Sequence, residues 1–138
     1  MNERGSITLW VLGLTVMVLF LGGVSLDLWR AFEVRQDLAA MADSAANAGA
    51  SRVDTDAYRA SGVLVLDERA ARDAVDANLD TQQDAGKITT RLAPDIDGAV
   101  ISVTLEGEVD FTLLNIFLLG RGPIGIQATG TAEAVPAP

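Results

Sequence analysis

Hydrophobic and polar positions fall into successive regimes along this chain. From Ile7 to Leu26 every residue is uncharged and none is proline, a run of 20 residues. As a helix rising about 1.5 Å per residue, such a run crosses a hydrocarbon core of roughly 30 Å. It predicts a membrane span. Asp27 to Ala48 then contains neither glycine nor proline, so nothing stops the helix where it leaves the bilayer. A single transmembrane and stalk helix is therefore expected over residues 6–50, after a short leader of residues 1–5.

Beyond the span the pattern becomes amphipathic. Ala31, Val34, Leu38, Met41, Ala45 and Ala48 recur at spacings of three and four, while Arg35, Gln36, Asp37, Asp43 and Asn47 fall mainly elsewhere. The stripe is apolar and unusually rich in small residues. Its partner is either the chain's own C-terminal part or a helix of a neighbouring molecule. Within the span, Gly13, Gly22 and Gly23 form no G-x-x-x-G pair. Trp10 and Trp29 stand 19 residues apart, roughly 28 Å along a helix, which matches two interfacial indoles flanking one span.

Residues 51–138 carry shorter periods. Ser51 to Gly62 has no sustained repeat and reads as a connector, with Asp54-Thr55-Asp56 as a solvated turn rather than a calcium loop. Val63 to Leu66 fits either a strand or the entry to a helix. Ala71, Ala74, Val75, Asn78 and Leu79, preceded by Asp67-Glu68, predict a second helix over about 66–82. From Lys87 the period changes to two. Ile101, Val103 and Leu105 alternate with polar residues, Pro94 to Gly98 reads as a hairpin turn, and Ile124 to Val135 alternates as a closing strand that Pro136 ends. Phe111 to Leu119 is apolar, but nine residues are too few to cross a bilayer as a helix. The expected fold class is α+β: the long helix, one further helix and an antiparallel sheet of three or four strands, with residues 51–138 forming a small domain.

Composition narrows the chemistry. The chain of 138 residues has no cysteine and no histidine, which removes disulfides, thiol nucleophiles, Ser-His triads and the usual zinc sites. From Asp27 onwards there are 18 acidic and 9 basic residues, so the net charge of −9 lies on one side of the span and opposes binding to nucleic acid. Arg4 precedes the span while Arg30 and Arg35 follow it, so arginines alone do not orient it. The carboxylates have no motif that gathers them for acid-base work, and they read as solvated faces. No enzyme activity and no cofactor are expected.

Residues 5–50 resemble the N-terminal segment of the TadE/TadG-like family of tight-adherence (Flp) pilus assembly proteins. The resemblance lies in Gly5 before the span, Asp27-Leu28-Trp29-Arg30, Arg35, Leu38, Asp43, Ala45-Ala46 and Ala48-Gly49-Ala50, in that order and spacing. It implies a bacterial inner-membrane protein with its N-terminus inside and its C-terminal domain outside. Its partners would be the lipid bilayer and, through the N-terminal helix, other pilus or secretion assembly components. It marks Gly5 and Ser6 as the place of a processing cut. By their position at the end of the run, Asp27 and Arg30 read as a pair at the membrane exit, one turn apart, and by its period the stripe from Ala31 to Ala48 reads as a packing face. Processed pseudopilins of the family carry glutamate at the fifth position after the glycine, whereas this chain has Trp10. It is therefore expected to stay uncleaved, as an anchored pseudopilin-like accessory component. The alternative is a membrane-tethered binding module outside pilus assembly, using the apolar part of Phe111 to Leu119.

Overall fold

The computed structural model describes residues 3–114 and 122–135. Its longest element, α1 (Glu3–Ala50), is one unbroken helix of 48 residues. The absence of proline lets it continue. At its end Arg52 N–H bonds to Gly49 O at 3.0 Å and the Ser51 hydroxyl to Ala48 O at 2.7 Å, which satisfy carbonyls of the last turn.

Next comes a helix where a connector is expected. α2 (Thr55–Ser61) starts because the Asp54 carboxylate accepts the N–H groups of Asp56 and Ala57 at 3.0 and 2.9 Å, and it ends because Gly62 adopts φ +73°. It buries no residue, so it leaves no apolar period to read. The Asp54-Thr55-Asp56 group is thus a helix cap. Val63 to Leu66 is extended and contributes a single antiparallel bridge, Val53 with Leu66. α3 (Glu68–Thr81) is capped in the same way by Asp67, whose carboxylate accepts from Arg69 and Ala70 at 3.1 Å, and it buries Ala71, Val75 and Leu79.

The four-stranded antiparallel sheet comprises β1 (Ile88–Arg91), β2 (Asp95–Asp97), β3 (Val100–Val109) and β4 (Ile124–Glu133). β3 is its centre. It pairs with β4 along its whole length, from Val100 opposite Glu133 to Val109 opposite Ile124, and β1 and β2 share its other side end to end. Residues 95–97, which the sequence suggests are part of a turn, are instead a strand. The turn is confined to Gly98-Ala99, with Gly98 at φ +61°. Aspartates flanking Ile96 disguise that strand, because Asp is depleted in strands. Two exposed positions, Asp95 and Asp97, flank a half-buried Ile96 that packs on the core.

One face of the sheet carries Ile101, Val103 and Leu105, all fully buried, against Leu38, Ala42, Ala45 and Ala46 of α1 and Val75 and Leu79 of α3. The second half of α1 is thus the central wall of the core. Small residues set how closely it lies on the sheet. A side chain at Gly130 on β4 would overlap the backbone of Ala42 and Asp43, and at Gly49 it would come within 2.7 Å of Ile101 Cδ1. Because Gly107 likewise lies against Leu38, β3 descends α1 as the chain advances, from Ile101 beside Gly49 to Gly107 beside Leu38. The connection after β3 is therefore delivered toward the end of the apolar run.

Candidate functional site at Asp27

Asp27, the first residue beyond the apolar run, is only 2% exposed. A buried carboxylate needs hydrogen-bond partners, and here they come from backbone 85 to 87 residues away. Its Oδ1 accepts the N–H of Thr112 at 3.1 Å, and its Oδ2 accepts those of Leu113 and Leu114 at 2.7 and 2.9 Å. The bond from Leu114 above all, with those from Thr112 and Leu113 and the charge of Arg30, holds the carboxyl below its ordinary range against the opposing effect of burial. Three charge-assisted bonds fasten the segment that follows β3 to α1.

Neighbouring residues strengthen this junction. Arg30 donates from Nη1 to Thr112 Oγ1 at 3.3 Å. Leu113 fills the space over Gly23, where any side chain would overlap its Cδ1 and Cγ. Gly23, Asp27 and Arg30 are spaced by four and three residues and so share one helix face. Asp27 and Arg30 thus meet on the same loop, the carboxylate on its backbone and the guanidinium on its hydroxyl. Among the described residues no ion pair joins the two.

The stripe residues divide by height. Leu38, Met41 and Ala45 are buried in the core, whereas Ala31, Val34 and Ala48 are half-buried, with Val34 packed at the core's edge. Lower down, α1 is bare. No residue from Ile7 to Leu26 is buried, and Trp10 and Trp29 are 78% and 72% exposed. Gly5 and Ser6 lie in the first turns of α1. Of the apolar stretch 111–119, the residues after Leu114 lie outside the described residues, as do Gly120, Arg121 and Pro136. Among the described residues no three Asp, Glu, His or Cys side chains gather as a metal site.

A helix with a bare apolar half, a capped charge at the boundary and a packed amphipathic half is the arrangement in which the matched sequence sits. Residues 5–52 match the Tad family model, Flp pilus-assembly TadE/G-like. This TadE/G-like segment coincides with α1 and the two residues after it, and it contains Gly23, Asp27, Arg30 and the whole stripe. No curated protein and no solved structure matches the chain. The match supports a role related to Flp pilus assembly, and the apolar half of α1 is a candidate membrane span.

The junction's other half was hidden from the sequence. Thr112 to Leu114 act through backbone N–H groups, which leave no side-chain signature. The presence of a glycine at Gly23 is visible, but its use as a seat for Leu113 depends on β3 reaching that height.

Proposed function

We propose that this chain is a single-pass, non-enzymatic accessory component of tight-adherence (Flp) pilus assembly or a related secretion apparatus. It is held in the bacterial inner membrane by residues 7–26, with the leader of residues 1–5 inside and the α+β domain outside. The observation that carries this reading is the TadE/G-like match over residues 5–52 together with the lack of any buried residue from Ile7 to Leu26. Twenty consecutive uncharged residues, none of which the folded chain buries, need another apolar medium, since each large aliphatic side chain withdrawn from water gains about 1.5–3 kcal/mol. A bilayer supplies it.

The stripe and Asp27 act on the outer side. In this reading the upper stripe (Leu38, Met41, Ala45) holds the domain on its own helix, and the exposed faces of α1 below Val34 are left for contacts with other assembly components. Trp10 in place of the family's glutamate favours an anchored factor over a subunit that is cut and enters a filament. Deleting the chain in its host and counting surface pili by electron microscopy tests the function. Loss of pili, restored by the full-length protein, is expected; normal piliation would favour a tethered binding module outside pilus assembly.

A further inference from the structure

We infer that the loop leaving β3, through Leu113 and Leu114, is a second membrane contact that seats the α+β domain on the lipid surface. This rests on the reading of residues 7–26 as a span. Gly23 is three residues inside the apolar end at Leu26, about 4.5 Å along the helix axis. Leu113 lies directly on it. If α1 spans the bilayer, Leu113 is carried to the depth of Gly23, below the level where the uncharged run ends.

The faces of α1 at this height show why a leucine is needed there. Leu26, Leu28, Trp29 and Phe32 are 65%, 58%, 72% and 70% exposed, and they present apolar side chains around most of the helix. On the face of Gly23, Asp27 and Arg30, those three positions carry no apolar side chain of their own. Leu113 supplies the missing apolar group and Asp27 loses contact with solvent beneath the loop, so the girdle closes around the helix. The occupant is lipid, because the contact is continuous with the span and at its height. The layer between hydrocarbon and bulk water is about 5–8 Å thick on each side, enough to cover both Leu113 and the turn bearing Trp29. Asp27 then meets its acceptor needs with loop N–H groups at a depth where water is scarce. The domain is thereby docked on the membrane rather than raised above it.

Depth-dependent quenching tests this on the full-length chain, which has no native cysteine. Single cysteines replacing Val16, Leu114 or Ser61 are labelled with a nitrobenzoxadiazole dye, and the protein is reconstituted in phosphatidylcholine–phosphatidylglycerol vesicles carrying a nitroxide high or low on the acyl chain. The expected result is strongest quenching of the Val16 reporter by the deep nitroxide, of the Leu114 reporter by the shallow one, and of the Ser61 reporter by neither. Thr112→Cys provides a second loop reporter should Leu114→Cys not fold. Asp27→Ala should lower quenching at the loop to the Ser61 level while leaving Val16 unchanged. A loop reporter that behaves like Ser61 while Val16 is quenched would overturn the inference and leave the anchor standing. An unquenched Val16 reporter would remove both.

Discussion

Gly130 of β4 lies against the backbone of Ala42 in α1, with no room for a side chain between them. This approach brings helix and sheet together at the middle of the core, since Ala42 is fully buried and Ala45 and Ala46 continue the contact one turn higher.

Gly130→Val should therefore force α1 off the sheet. Overpacking of this kind costs about 1–3 kcal/mol, and more is expected here because the obstacle is backbone. Gly125→Ala on the same strand meets nothing within 4 Å and should leave the melting temperature nearly unchanged. Thermal unfolding of both variants in detergent micelles checks the contrast, and equal melting temperatures would place the helix–sheet contact elsewhere.

Leu38 and Gln36 make a similar pair on α1. Leu38 is fully buried beside Gly107, whereas Gln36 faces solvent. Leu38→Asp removes packing worth about 2–5 kcal/mol and adds a charge with no partner. It should abolish the cooperative unfolding transition, while Gln36→Asp retains it. Equal tolerance in circular dichroism melts would mean that this face of α1 packs on nothing.

Asp27 should give stability a defined pH dependence. Its hydrogen bonds lower the folded-state pKa below the unfolded value, so its contribution is fully present above the ordinary carboxylate range, about pH 4, and is lost as the pH falls through the lowered folded value. Asp27→Asn removes the charge while keeping the shape. The variant should be less stable than the natural chain at pH 7, and the gap should close as the pH drops below about 4. Melting curves of the two proteins across pH 2–7 measure this; a gap that persists unchanged in acid would show that the charge of Asp27 does not hold Thr112 to Leu114.

The amino terminus offers a chemical readout. Since Trp10 occupies the fifth position after Gly5, most of the protein isolated from its host should retain residues 1–5. Intact-mass measurement would show this directly, and a mature amino terminus at Ser6 would move the chain into the processed class.

Much of the fold was legible because burial wrote a period into the residues. The uncharged run marked the bare half of α1, the spacing of Leu38, Met41 and Ala45 marked its packed half, and the alternation of Ile101, Val103 and Leu105 marked the central strand. Elements that bury little were missed: α2 has no core residue, and β2 carries one half-buried isoleucine between aspartates. At the candidate site the sequence pointed to Asp27 and Arg30 through their place at the end of the run. Their partner was out of reach, because a carboxylate held by backbone N–H groups 85 residues away depends on the register of β3 along α1 rather than on any local pattern.

Sidedness bears most directly on the central claim, that α1 anchors the chain with its α+β domain outside the cytoplasmic membrane. Ser51 is exposed just beyond α1, at the far end of the domain from the apolar run. With Ser51→Cys as the only thiol, a membrane-impermeant maleimide applied to intact cells should label the membrane-bound protein. Labelling that appears only after lysis, or protein recovered free of the membrane fraction, would contradict it.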